Sequence, residues 1–226
     1  MVTTATVIIQ ARMGSTRLPG KVLKFIGNKP LLSYIIESLK LSPVINDIII
    51  ATSKNKDNDA IEEYCKKNKI KYFRGSEENV LERFHETALK YPDKYYFRAT
   101  ADNPILDIKN PEVTLNYLAK NNLDYAAVKK MPIGSIVECF TKEALKKTYI
   151  EAKSKKDREH VTLYMKKNEG FKLGYLEAEQ EVMFPNMRLT VDFPKDFKRA
   201  EKIIKALYKN GIPQFREIVD FVNKSY

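Results

Sequence analysis

Cysteine is scarce in this chain, with two in 226 residues, Cys65 and Cys139. Neither sits in a C-x-x-C spacing or beside a histidine cluster, which argues against a zinc centre and against a disulfide framework. Long apolar runs are missing too. Residues 44–51 form the longest, and Asn46 and Asp47 break it, so nothing approaches the roughly 20 residues of a membrane-spanning helix. The N-terminus lacks a basic segment leading into an apolar core, and an unexported, cytoplasmic protein is expected. Blocks of five or six like charges, internal repeats, low-complexity stretches and obvious linkers are all absent. One domain over residues 1–226 is the expectation.

What is present belongs to a folded protein. Hydrophobic residues make up 43 %, aromatics 11 % and charged residues 31 %, enough apolar content for a sizeable core. Lys+Arg of 40 against Asp+Glu of 29 gives a net charge of +11, a balance suited to polyanionic ligands. Nucleic acid, an anionic membrane face and nucleotide phosphates all qualify. The Lys-rich stretches at 66–69, 153–156 and 198–209 read as solvated helix faces. Charge alone selects no partner.

Hydrophobic periodicity orders the chain. Residues 5–10 (ATVIIQ) have the β-branched pattern of a buried strand, and a polar, glycine-containing loop follows at 11–20. Leu31, Ile35 and Leu39, with Leu32 and Ile36, fall at helical spacing. Strands are expected at 47–52, 71–73, 94–100 and 125–128, with helices at 57–68, 77–91 and 111–121 between them. This alternation predicts an α/β fold with a mostly parallel sheet and helices on both faces. Beyond residue 129 the rhythm changes: strands at 134–140, 171–177 and 188–191, helices at 142–153, 158–168, 196–210 and 215–223. Residues 129–185 therefore read as a small α/β insertion.

The richest stretch is the loop after the first strand. Open α/β sheets bind ligands at the carboxyl ends of their strands, and Arg12, Arg17 and Lys21 crowd into that position around Gly14 and Ser15. Glycine allows close backbone approach to a phosphate, successive amides and hydroxyls cup its oxygens, and the three cations would neutralise a triphosphate. The stretch is not a P-loop, because Val22 stands where Ser or Thr must follow Lys21, and it is not GxGxxG. Two aspartates end predicted strands elsewhere, Asp102 after Thr100-Ala101 and Asp192 after Thr190-Val191. Taken alone, each is as readily a helix cap or Asx turn as a ligand.

Residues 10–21, Q-A-R-M-G-S-T-R-L-P-G-K, strongly resemble the signature of the cytidylyltransferase family, which includes CMP-sugar synthetases and the SpsF group of spore coat polysaccharide biosynthesis proteins. Further segments similar to that group are 73–81 (FRGSEENVL), 158–162 (REHVT) and 189–197 (LTVDFPKDF), so the resemblance spans residues 5–200 in order. It implies a Rossmann-like three-layer α/β/α nucleotidyltransferase fold and transfer of CMP from CTP to a small anionic acceptor, with pyrophosphate released. It implies nucleotide contacts from Gln10, Ala11, Arg12, Gly14, Ser15, Lys21, Gly75, Ser76, Thr100, Ala101 and Asp102. Arg12, Arg17 and Lys21 would neutralise charge in catalysis, and Asp102 and Asp192 would hold Mg²⁺. Gly75-Ser76 doubles as the N-cap of the expected helix at 77–91.

Two departures stand beside the match. The group carries Thr-Gly-Asp-Cys-Pro where this chain has Ala101 and Asn103 around Asp102. Its Gly-x-Asp-Val-Glu segment reads Gly-Ser-Ile-Val-Glu at 134–138, and an acceptor different from the commoner family substrates is expected. Glu138, Arg158 and His160 are the acceptor-side candidates; His160 also has a purely structural reading, and His85 on an amphipathic helix is read as structural. The resemblance further implies a homodimer through residues 129–185. Competing functions are a sugar-1-phosphate nucleotidyltransferase using another nucleotide, opposed by Gln10-Ala11-Arg12, and an RNA-binding protein. The latter lacks aromatic-flanked basic clusters and an RNP-type motif, so no nucleic-acid partner is expected.

Overall fold

The computed structural model describes residues 3–225. β1 (Ala5–Gln10) leads through the 11–20 loop into a small hairpin, β2 (Phe25–Ile26) and β3 (Lys29–Pro30), and then α1 (Leu31–Lys40). β4 (Ile45–Ser53), α2 (Asp59–Lys67), β5 (Lys71–Gly75), α3 (Val80–Lys90), β6 (Tyr95–Thr100), α4 (Asn110–Lys120) and β7 (Tyr125–Lys129) continue the alternation. Then come β8 (Glu138–Thr141), α5 (Lys142–Glu151), α6 (Lys155–Glu159), α7 (Leu163–Lys167), β9 (Leu173–Glu177), α8 (Pro194–Leu207) and α9 (Phe215–Ser225).

Seven strands form one sheet in the order β5-β4-β1-β6-β8-β7-β9. β8 runs antiparallel to both of its neighbours, and the remaining pairs are parallel. Successive residues of β1 alternate between faces. Val7 and Ile9 pack under α1, α2 and α4, while Ile8 packs with α3, α5 and α7 on the other face. A third apolar cluster joins α8 and α9 to Leu31, Ile105, Leu189 and Val191. The result is the three-layer α/β/α architecture with a mostly parallel sheet. Residues 129–185 supply β8 and β9 to that same sheet. Among the described residues no helix is long and apolar enough to cross a membrane.

Three local expectations need correction. The helix expected from residue 77 starts at Val80, because the Asn79 side chain caps Glu82 N–H at 3.1 Å. Ser76 Oγ serves one step earlier, accepting from Asn79 N–H at 3.0 Å. The single helix expected at 158–168 is two short ones, α6 and α7, interrupted at Val161, whose φ is 45°. The strand expected at 188–191 does not form a ladder. Its backbone bonds are divided between two partners, Leu189 N–H to Ile133 C=O and Val191 N–H to Asp102 C=O, each 2.8 Å. Only an isolated bridge between Ile133 and Arg188 remains.

Chain order fixes where a ligand site belongs. After β1 the chain builds outward through β4 and β5, then returns to the other side of β1 for β6. This reversal leaves a crevice at the carboxyl ends of β1 and β6. Gln10 and Thr100 are register partners there.

Candidate nucleotide-transfer site

The crevice is a cavity of ≈ 490 Å³. The 11–20 loop forms one wall, and its backbone is tied down at several points. Ser15 and Gly20 N–H both donate to Met13 C=O, at 2.8 and 3.0 Å. Met13 N–H donates to Asn58 Oδ1 at 2.8 Å. Gly20 takes φ of 67°, a left-handed conformation that a side chain would penalise, and so turns Lys21 inward. Arg12 and Arg17 remain at the mouth. Arg12 lies 3.8 Å from Glu77, and the Arg17 guanidinium sits 4.8 Å from the centroid of the Phe193 ring.

Lys21 is the centre of the site. Its Nζ donates to Asp102 Oδ2 at 2.8 Å, Asp192 Oδ1 at 3.0 Å and the Val191 carbonyl at 2.7 Å. Two carboxylates from segments 90 residues apart in sequence thus converge on one buried cation. Asp192 also accepts from Arg188. Behind it, the buried Asp196 carboxylate accepts from the N–H groups of Asp192 and Phe193 at 3.1 and 3.0 Å and pairs with Arg199 at 2.9 Å. Burial by itself would raise the Asp196 pKa; these bonds outweigh it and hold the group below the usual carboxylate range. Gly134 supports the 189–191 segment from the side. Its φ is 88°, and a Cβ there would stand 2.8 Å from both the Thr190 nitrogen and Asn103 Oδ1, so close approach excludes a side chain. Asn103 Oδ1 is itself buried without a hydrogen-bond partner.

α3 contributes Val80 and Arg83 to the cavity. Arg83 is 2 % exposed, donates to the Ser76 carbonyl, and has its Nε buried without a partner. Burial pushes the guanidinium down to about 10, still protonated at neutral pH. A desolvated cation with unused donors at a cavity wall attracts anionic or carbonyl oxygen.

Glu138 lies behind the cavity, at the start of β8 and opposite Arg98 on β6. Burial would raise its pKa, but Arg98 and Lys166 outweigh that and bring it down to about 2. Beyond it the chain makes a tight turn at 160–162, closed by Thr162 N–H on the His160 carbonyl at 2.5 Å. Val161 at its centre is buried with positive φ, a conformation that costs a β-branched residue about 1–3 kcal/mol. The turn presents Glu159 and His160 to the cavity.

Comparison with known proteins places this geometry. A family model described as Cytidylyltransferase matches residues 6–220. The chain belongs to the cytidylyltransferase family. An uncharacterised protein of Methanocaldococcus jannaschii is 40 % identical over 219 residues, covering 96 % of this chain and 90 % of that one. The spore coat polysaccharide biosynthesis protein SpsF of Bacillus subtilis is 35 % identical over 210 residues, covering 90 % and 86 %. A solved cytidylyltransferase of Leptospira borgpetersenii superposes with a TM-score of 0.90 at 27 % identity, over 99 % of this chain and 95 % of that one. This cytidylyltransferase is therefore a nucleotidyltransferase enzyme.

Within it, Gln10, Ala11, Arg12, Gly14, Ser15, Arg17, Lys21, Thr100, Ala101, Asp102, Asp192 and His160 line the one cavity. Gly75, Ser76, Glu138 and Arg158 are not among the lining residues. Gly75 and Ser76 lie one layer back, against Arg83. His85 stacks on Tyr149 with ring centroids 4.2 Å apart. Sequence reasoning passed over Arg83, although a signal existed: it falls three residues after Val80, within the apolar stripe of Val80, Phe84 and Ala88, where a charge is out of place. Asp196 was equally legible, three residues beyond Phe193 at a helix start.

Proposed function

We propose that this cytidylyltransferase transfers CMP from CTP to a small anionic acceptor, an acidic sugar, phosphonate or phosphorylated metabolite, in building surface polysaccharide or glycoconjugate. The observation that carries the reading is the meeting of Lys21, Asp102 and Asp192 at the floor of a cavity whose wall is the cationic 11–20 loop. The acceptor oxygen attacks the α-phosphorus in line, the bond to the bridging oxygen breaks, and pyrophosphate leaves. Arg12 and Arg17 at the mouth and Lys21 at the floor neutralise the phosphate charge, so catalysis is positioning and electrostatics. An acceptor that is already anionic needs no strong base. Arg83 adds positive charge at the cavity wall for the nucleotide. The SpsF relative, named for polysaccharide biosynthesis, supports the biosynthetic setting.

The donor set also fits Mg²⁺. Two carboxylate oxygens and a carbonyl converge on a point that Lys21 Nζ holds as a positive charge. Among the described residues no group of three or more His, Cys, Asp or Glu is clustered for a metal. Two carboxylates completed by substrate phosphates is the arrangement Mg²⁺ prefers. Asp102 and Asp192 would hold the ion, which when bound supplies charge neutralisation at the α-phosphate. Use of CTP supports the reading of a cytoplasmic enzyme, and we propose a homodimer through residues 129–185.

Thermal-shift titration with CTP, UTP, ATP and GTP, each with and without Mg²⁺, tests the reading, because a ligand of the folded state raises Tm by mass action. Mg²⁺ with CTP is expected to give the largest shift, lost in Asp102→Ala. No shift with any triphosphate, against a clear one with RNA, would overturn it.

A further inference from the structure

Glu138 is the right residue type for an acceptor contact, yet its carboxylate has no bonding capacity to spare. Oε1 accepts from the Tyr125 hydroxyl and from Lys166 Nζ, each at 2.7 Å. Oε2 accepts from Arg98 Nη1 and from Thr162 Oγ1, each at 2.9 Å. An ionised carboxylate offers about four lone-pair sites, and these four donors fill them.

Two of the four donors lead to the cavity. Arg98 directs its Nε to Gln10 Oε1 at 3.2 Å, and Gln10 lines the cavity. Thr162 ends the turn that begins at His160, which lines it too. Positive φ at a buried valine persists only where surrounding contacts impose it. Those contacts include the Thr162 bond to Glu138, a longer one from the same hydroxyl to the His160 carbonyl at 3.5 Å, and the packing of Val161 with Met165 and Phe171. Only Glu138→Gln removes the first of them alone.

We propose that Glu138 is a positioning residue: from one carboxylate it fixes Gln10 through Arg98 and the His160 turn through Thr162, and it touches no substrate. This rests on the proposed function only for what fills the cavity.

The chain has two histidines, His85 and His160, so imidazole NMR signals report on the turn directly. Thr162→Val keeps the shape and removes the hydroxyl. In the unliganded protein it is expected to shift and broaden the His160 signals while those of His85 stay in place, and Thr162→Ser is expected to restore them. Glu138→Gln, near-isosteric at the other end of the bond, should move the same signals and decides the matter if the valine variant does not fold. His160 signals that superimpose on wild type in both Thr162→Val and Glu138→Gln would overturn the proposal. So would a serine variant that fails to restore them, because packing rather than the hydroxyl would then hold the turn. Addition of CTP with Mg²⁺ to wild type separates the two readings: silence there counts against the proposed function, while the unliganded spectra still judge the positioning role.

Discussion

Two ionic clusters flank the crevice, and they are near mirror images. At the floor one cation, Lys21, is shared by two carboxylates; behind β6 one carboxylate, Glu138, is shared by two cations. The floor cluster is charge-balanced once Arg188 on Asp192 is included, and it opens on the cavity, its aspartates 27 % and 26 % exposed. The rear cluster has surplus positive charge, and two hydroxyls complete its carboxylate. Part-exposed carboxylates facing a cavity leave lone pairs open to a ligand. A saturated carboxylate makes a fixed joint. The same residue types thus leave open bonding capacity in one place and none in the other, according to how far the carboxylates are exposed and how many donors they meet.

Lys21→Met should break the contrast most. It leaves Asp102 without its cation and Asp192 with Arg188 alone, and because the aspartates are part-exposed the loss is about 3 kcal/mol, the low end for a buried pair. Millimolar Mg²⁺ is expected to restore much of that loss without any nucleotide, as read by urea denaturation. Lys166→Met, in the rear cluster, should show no such response. Indifference of the Lys21 variant to Mg²⁺ would remove the floor aspartates as a cation site.

Acid sharpens the comparison from the other side. The folded pKa of Glu138, about 2, lies below its unfolded value, which is about 4.3. Its contribution is therefore complete above the unfolded value and is lost as the pH falls through that window toward the folded one, amounting to about 3 kcal/mol. Denaturation midpoints measured from about pH 5 down to about pH 2 should fall less steeply in Glu138→Gln. Some slope remains in the variant, because hydrogen bonds from Lys66, Arg74 and Tyr72 also hold Glu62 down to about 2. An unchanged slope would mean that Glu138 is not the ionised hub.

The floor cluster was far more legible in sequence than the rear one. Arg12, Arg17, Lys21 and Asp102 follow β1 and β6, whose ends share a sheet edge, so local pattern carried long-range information there. Asp192 follows no sheet strand and was singled out by the family resemblance. The topology then brought their segments together. Glu138 had only its residue type to speak for it, and its four partners come from β6, β7, the turn at 162 and α7, a convergence no spacing encodes. The break at Val161 was hidden for the same reason: residues 158–168 have helical composition, and a tertiary bond from Thr162 overrides it. The 188–191 segment has strand composition but spends its backbone bonds on two different loops. Arg83 was visible as a misplaced charge, but only burial shows that its Nε lacks a partner.

The smallest expected effect tests how independent the cavity mouth is of both clusters. Arg12 Nη1 stands 3.8 Å from Glu77 Oε1, with side chains 51 % and 26 % exposed, and a pair so exposed contributes below about 0.5 kcal/mol. Glu77 also accepts from Asn58 Nδ2 at 3.4 Å, a contact that Gln can keep. Glu77→Gln should therefore leave stability unchanged within about 0.5 kcal/mol. It releases Arg12 from this carboxylate and removes a negative charge from the phosphate approach, so CTP affinity should rise about twofold. Because the effect acts through solvent-exposed charge, the gain should shrink when ionic strength is raised to about 0.5 M. Calorimetric titration of CTP at low and high salt measures both quantities. Weaker CTP binding in Glu77→Gln at both salts would instead make Glu77 a direct ligand contact, extending the nucleotide site along the β5–α3 turn toward Arg83.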